Sequence, residues 1–165
     1  MKIVVSPNPY RDKQFKNARQ ACSILREAGA EVALCLPFDV DKTFEIPHDL
    51  RFQDIQKEIK TADMLICFGG DGTILHSSKI ATEHNLPILG VNIGTMGFIA
   101  ELEAGEIELL RKIPKGDYTV EERTMLDVSV GNGRQTLFHE TALNDAVITL
   151  SLIHISEPTR LALIS

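Results

Sequence analysis

Three glycines and one carboxylate stand together at Gly69-Gly70-Asp71-Gly72, directly after the apolar run 64–68. Glycine permits positive φ and lets a ligand approach bare backbone. A helix that begins here would direct its free N–H groups and the positive end of its dipole at the same point, which suits phosphate. Asp71 would repel phosphate unless it binds a metal, bonds a sugar hydroxyl or accepts a proton. The alternative is a tight turn with Asp71 as the helix N-cap.

A second glycine segment, Asn92-Ile93-Gly94-Thr95-Met96-Gly97-Phe98, follows the apolar residues 87–91. Alone, this segment is weak evidence for a binding loop, since glycines often serve only to turn a chain. Adjacent parallel strands would bring both glycine segments into one crevice, and that makes Asn92 and Gly94 candidates for ligand binding.

An amide and a carboxylate, Asn144 and Asp145, interrupt an apolar stretch further along the chain. The simpler interpretation is a turn or bulge between two strands. The functional interpretation is a pair whose donors and acceptors hold a ribose or an amide.

The elements that must position these residues alternate between strand and helix. Apolar runs predict strands, and three- to four-residue apolar spacing predicts helices. This order is typical of a parallel sheet with crossover helices, whose ligands bind at the carboxyl ends of the strands. We therefore predict an α/β fold with a Rossmann-like parallel sheet. The predicted strands cover 2–5, 31–36, 64–68 and 87–91, and the predicted helices cover 15–28, 54–60, 72–85 and 105–113.

The pattern changes near Lys115. Residues 118–130 alternate with β-branched side chains, 131–134 carry a hairpin turn signal, and 136–150 are predicted to be extended. We expect an α/β nucleotide-binding domain over 1–115, the first strands of an incomplete antiparallel β domain over 116–150, and a non-native tail over 151–165.

The composition is that of a globular protein: 44% of the 165 residues are hydrophobic and 24% are charged. A formal net charge of −6 excludes general nucleic-acid binding, because no basic excess is present. No apolar run approaches the length of a membrane span, and the N-terminus is predicted to be a strand rather than a signal peptide. The cysteines, Cys22, Cys35 and Cys67, lack zinc-site spacing and are predicted to be reduced core thiols in a cytoplasmic protein.

Taken together, three segments resemble the NAD kinase family: Gly69-Gly70-Asp71-Gly72-Thr73, the segment 89–98, and Ala142-Leu143-Asn144-Asp145. The first is shared with lipid kinases of the diacylglycerol and sphingosine type. The second discriminates, since lipid kinases carry a different, proline-containing segment there. The third, an asparagine before an acidic residue, is typical of NAD kinases.

The resemblance implies transfer of the γ-phosphoryl group of ATP, or of polyphosphate in some members, to the adenosine-ribose 2′-hydroxyl of NAD with Mg²⁺ or another divalent metal. It makes Asp71 the candidate base and Gly69, Gly70 and Gly72 the phosphate cradle. It also implies a homo-oligomer for the full-length protein. We assign no residue of the chain as a metal ligand, and from the composition we expect neither nucleic-acid nor membrane partners. The candidate NAD contacts that the resemblance implies are His76, Phe98, Asn144 and Asp145. For His76, an ordinary surface histidine is the alternative.

The C-terminus departs from the family. Members continue into a β domain with a second glycine-rich motif, which is missing here, and residues 151–165 look like translated adapter sequence. A genuine divergent tail is the alternative. We expect the chain as given to be catalytically inactive. Two other functions stay open at this point, namely a nucleotide-binding module without turnover and a lipid kinase.

Overall fold

The computed structural model describes residues 1–41, 43–94, 97 and 99–143. The chain divides into two compact units, one running from Met1 to Arg123 and one that begins at Thr124. Among the described residues, no helix is both long and apolar enough to cross a bilayer.

A five-stranded parallel sheet forms the centre of the first unit. Its strands are β1 (Lys2–Pro7), β2 (Glu31–Leu34), β3 (Met64–Gly69), β4 (Ile88–Asn92) and β5 (Leu102–Glu103). They lie in the order β2-β1-β3-β4-β5, which confirms the predicted parallel sheet. Strands β1 and β3 are covered on both faces, which explains the continuous apolar runs 3–5 and 64–68 within them.

Helices cover both faces of this sheet. On one face, α1 (Lys16–Glu27) and a 3-10 helix (Ala104–Lys115) pack against Val5, Ile66 and Phe68. On the other face lie α3 (Asp71–Glu83) and a short helical segment made of α2 (Ile55–Glu58) and a 3-10 turn (Ile59–Thr61).

The position of the site follows from this topology. The chain leaves β1 towards the face that carries α1, and it leaves β3 towards the face that carries α3. Between two neighbouring parallel strands whose connections diverge in this way, a crevice opens at the carboxyl ends. The carboxyl ends of β1 and β3 are Pro7 and Gly69.

Several predicted boundaries were wrong. Strand β2 ends at Leu34 rather than at residue 36, because Cys35 makes only an isolated bridge to Gln53. The helix expected over 105–113 is a 3-10 helix that extends to Lys115, and β5 was not predicted. Before α1, Gln14 and Phe15 adopt left-handed backbone, so the α-helix begins at Lys16.

The second unit contains an antiparallel hairpin of β6 (Leu126–Gly131) and β7 (Thr136–Ala142), which confirms the predicted turn. Residues 118–125, predicted to be extended, have no regular structure, and the predicted strand beyond residue 143 lies outside the described residues. The first unit continues past the predicted boundary at Lys115 to Arg123, whose guanidinium bonds Glu101 at 2.9 Å. Apolar side chains of the hairpin remain exposed: Leu126, Val130, Leu137 and Phe138.

Candidate functional site

A crevice of about 420 Å³ opens at the carboxyl ends of β1 and β3, where the topology places it. Its volume falls in the range of small-molecule sites. Among the described residues that line it, one is acidic and one is basic. The lining consists of Asn8, Arg11, Phe38, Gly70, Asp71, Gly72, Thr73 and Gly97.

The first glycine segment makes a tight passage from β3 into α3. Gly70 is the N-cap in extended backbone, with φ −108° and ψ −175°. Neither Gly69 nor Gly72 has positive φ, so left-handed backbone is not what these glycines provide. A Cβ on Gly69 would overlap the side chain of Thr73, so glycine is needed there for close packing. Gly70 has no side chain that could cap α3, and the first turn of the helix lies at the crevice, which Gly70, Asp71 and Gly72 line.

Asp71 is the first residue of α3 and Gly70 is the N-cap, so the alternative interpretation of Asp71 as the N-cap is wrong. Its Oδ1 accepts a hydrogen bond from the Ile99 backbone N–H at 3.2 Å. Asp71 therefore joins the first helical turn of α3 to Ile99, directly after the second glycine segment, and Asp71 lines the crevice.

The start of the second glycine segment is held by Asn92, whose side chain is buried. Its Nδ2 donates to both carboxylate oxygens of Glu103, at 3.2 and 3.1 Å, and its Oδ1 accepts from the Gly94 N–H at 3.1 Å. The Ile93 N–H donates to the Gly69 carbonyl at 3.1 Å and connects the two segments. In this structure Asn92 positions the loop, while its assignment to ligand binding stays a prediction.

Sequence reasoning missed Asn8, which fastens the loop after β1 to the site. Its Nδ2 donates to Thr73 Oγ1 at 2.8 Å, and its backbone N–H donates to the Phe68 carbonyl at 2.8 Å. The signal was available, because Asn8 lies in the loop after the predicted strand 2–5, at the carboxyl end where ligands bind.

Arg11 and Phe38 were missed as well. Arg11 is the single cation of the described lining and is exposed, and a Cβ placed on Gly94 would lie 2.9 Å from its Nη1. Phe38 stacks offset on Tyr10, with ring centroids 6.2 Å apart. Phe38 follows Pro37, in a segment without periodicity, and the sequence offered no signal for it.

His76 is not among the residues that line the crevice, and it contacts the lining residue Phe38 instead. Its Nε2 is 3.0 Å from the Pro37 carbonyl oxygen, and its ring meets Phe38 edge-on at 5.7 Å. The structure thus places His76 against the 37–38 segment, and its predicted contact with NAD stays a prediction. The other predicted NAD contacts, Phe98, Asn144 and Asp145, lie outside the described residues.

The three cysteines do not line the crevice. All three are buried and free of disulfides. Burial raises the pKa of Cys67, within β3, to about 12, and burial also raises the pKa of Cys35 to about 12. Thiols with such pKa values are poor nucleophiles at neutral pH.

Comparison with known proteins agrees with this geometry. The family model of the ATP-NAD kinase N-terminal domain matches residues 3–118, which include both glycine segments. The chain belongs to this family. The resemblance seen in the sequence motifs is thereby confirmed.

Relatives within the NAD kinase family include those of Natranaerobius thermophilus, 44% identical over 96 residues, and Caldanaerobacter subterraneus, 35% identical over 149 residues. These alignments cover 58% and 90% of this chain, but 33% and 51% of the relatives. The chain thus spans about half the length of its curated relatives, or less. The crystal structure of yeast NADH kinase in complex with NADH shares the fold, with a TM-score of 0.62 and 19% identity over 86% of this chain and 46% of that one.

Proposed function

We propose that this crevice is the phosphoryl-transfer site of an NAD kinase, which uses ATP to phosphorylate the adenosine-ribose 2′-hydroxyl of NAD. The observation that carries the proposal is the convergence of Asp71, Arg11 and the glycine-capped start of α3 in one crevice. Phosphoryl transfer needs positioning and charge neutralisation more than covalent chemistry, and these groups supply both.

Each group has a defined task in this reaction. The 2′-oxygen attacks the γ-phosphorus, the bond from that phosphorus to the β,γ-bridging oxygen breaks, and ADP leaves. The Asp71 carboxylate orients the hydroxyl and takes its proton, because an alcohol is a poor nucleophile at neutral pH. The N–H groups at the start of α3 and the Arg11 guanidinium face the phosphate charge.

A divalent metal fits this site as a companion of the nucleotide. Within the described residues, no group of three or more His, Cys, Asp or Glu side chains could hold an ion. Mg²⁺ commonly binds through one or two carboxylates together with substrate phosphates, and Asp71 could supply that carboxylate. When bound, the metal neutralises phosphate charge.

We further propose that the 165-residue chain binds nucleotide without turnover. Its second unit shows two strands with exposed apolar side chains, and an isolated hairpin is marginally stable in water. Asn144 and Asp145 follow this hairpin in the sequence. Catalysis requires reacting groups held to within about an ångström. Homo-oligomerisation, a cytoplasmic location and the choice between ATP and polyphosphate as donor belong to the same proposal.

The test compares two proteins. One is the 165-residue chain, and the other, called here the extended chain, joins residues 1–143 to the C-terminal half of the Caldanaerobacter subterraneus relative. We expect ATP-dependent formation of NADP by the extended chain alone, and nucleotide binding by both. Polyphosphate in place of ATP identifies the donor. Binding without turnover in both proteins would favour a nucleotide-binding module instead. Phosphorylation of a diacylglycerol or sphingosine in place of NAD would favour a lipid kinase, although the relatives compared above are NAD kinases.

A further inference from the structure

We infer that Arg11 is the clamp for the polyphosphate chain of the donor nucleotide, and that Gly94 is a glycine because Arg11 occupies the space of its side chain. This inference rests on the proposed function and assigns a residue pair to its donor side. The sequence gives no sign that these two residues form a pair, since 82 residues lie between positions 11 and 94.

The loop that carries Arg11 is anchored on both sides. On one side, the Asn8 carbonyl accepts from the backbone N–H groups of Arg11 and Asp12, at 3.1 and 2.9 Å. On the other, the fully buried Asp12 carboxylate accepts from the backbone N–H groups of Asn17 and Ala18, at 3.0 and 2.9 Å. The backbone of Arg11 is thus fixed before any ligand binds, which lowers the entropy cost of binding.

The guanidinium itself is left available. Arg19, Arg111 and Arg123 each pair with a carboxylate. Arg11 forms no ion pair with any carboxylate in the part of the chain that the structure describes. An arginine presents its N–H donors in a planar fork that matches phosphate oxygens, and weak hydration makes it suitable for this contact.

The two glycine segments make room for this side chain. A Cβ on Gly94 would lie 2.9 Å from Arg11 Nη1, closer than side chains tolerate, and a Cβ on Gly70 would lie 4.0 Å from the same atom. The guanidinium therefore lies near both Gly70 and Gly94, beside the start of α3. A polyphosphate bound at that helix start would meet it directly.

The experiment measures binding of Mg·ATP and of inorganic triphosphate to the 165-residue chain by calorimetry. We expect Arg11→Gln to weaken both by tenfold or more, on the order of what a hydrogen bond to a charged group provides. Arg11→Lys keeps the charge but loses the planar fork of N–H donors. Its affinity for both probes should lie between those of the parent and of Arg11→Gln. The matched control, Lys13→Gln, removes the same charge two positions away and should bind like the parent. Melting temperatures check that each variant is folded.

The pairing with Gly94 is tested by a double-mutant cycle. Gly94→Ala should weaken triphosphate binding when Arg11 is present and have little effect in the Arg11→Gln background, because only the guanidinium occupies that space. The control substitution is Gly105→Ala, where an added Cβ meets nothing within 4 Å.

Three outcomes would overturn the inference: unchanged binding by Arg11→Gln, an equal effect of Gly94→Ala in both backgrounds, or no binding of either probe by the parent chain. Failure of the proposed function is seen separately. If the extended chain forms no NADP while triphosphate binding depends on Arg11, the proposed reaction fails and the clamp stands. If it forms NADP while binding is independent of Arg11, the clamp alone fails.

Discussion

The two glycine segments at the crevice look alike in sequence but use glycine differently. In the first, Gly69 lacks a side chain because Thr73, four residues later in the same connection, packs where its Cβ would be. In the second, Gly94 and Gly97 lack side chains because Arg11 and Asp71 arrive there from other elements. Gly69 thus allows close packing within its own turn, whereas Gly94 and Gly97 leave space for functional side chains from other elements.

This difference separates stability from function. Substitution of a glycine that packs against its own turn should destabilise the fold. Substitution of a glycine that receives a functional side chain should displace that side chain and leave the fold intact. Positive φ, the usual reason for glycine, explains neither segment. Among the described glycines it occurs at Gly29, Gly116 and Gly133, all outside the crevice.

The largest expected effect concerns the carboxylate that both segments share. Asp71→Asn in the extended chain should lower NADP formation by about 10²–10⁴-fold, the usual cost of losing a general base. Asparagine keeps an oxygen that can accept from the Ile99 N–H, so the melting temperature should not change. Asp117→Asn is the control, since it removes an exposed carboxylate paired with Lys112. Activity within a few-fold of the parent would remove Asp71 from the chemistry.

The next largest effect is expected at Gly97, which leaves space for the Asp71 carboxylate. A Cβ on Gly97 would overlap Asp71 Oδ1, so Gly97→Ala should shift the carboxylate and lower NADP formation by on the order of 10²-fold. The melting temperature should again stay near that of the parent. In an Asp71→Asn background, Gly97→Ala should lower NADP formation little further. If Gly97→Ala instead unfolds the protein and leaves the activity of the folded fraction intact, the proposed division between the two segments is wrong.

The sequence predicted the sheet and the first segment because those features are local. A continuous apolar run such as 64–68 indicates a strand buried on both faces, and the glycines after it mark the loop. The rule that ligands bind at the carboxyl ends of parallel strands then located the crevice. Motifs in three segments were enough to indicate the family that the comparison confirmed.

What the sequence could not provide were the contacts between distant elements. Arg11 meets Gly94, and Asn8 meets Thr73, only because β1 lies beside β3 in the folded sheet. No periodicity reports such a pairing. The bond between the buried amide of Asn92 and Glu103 was missed for the same reason, since Glu103 is brought near only by β5.

A smaller effect is expected at the first segment. Gly69→Ala places a Cβ on the Thr73 side chain, and overpacking of this kind typically costs about 1–3 kcal/mol. The measurement is urea unfolding of the 165-residue chain, followed by circular dichroism. Gly94→Ala, which meets only the end of a flexible arginine, should leave the unfolding free energy nearly unchanged. Equal unfolding free energies for both variants would contradict the distinction.

The smallest effect, and the sharpest control, belongs to Gly72. It lies in the first turn of α3 without positive φ, and an added Cβ would meet nothing within 4 Å. Gly72→Ala should therefore raise the free energy of unfolding slightly, by at most about 0.5–1 kcal/mol, because alanine loses less backbone entropy than glycine in a helix.

The same open space is part of the crevice, so a larger side chain at Gly72 should act on the ligand instead of the fold. Gly72→Val should leave the protein folded, with a melting temperature close to that of the parent, and should weaken Mg·ATP binding by obstructing access to the start of α3. A variant that binds Mg·ATP as tightly as the parent would show that the nucleotide does not approach the backbone at Gly72, and the phosphate site would then have to lie elsewhere. A variant that unfolds would show instead that this glycine, like Gly69, serves the packing of its own turn.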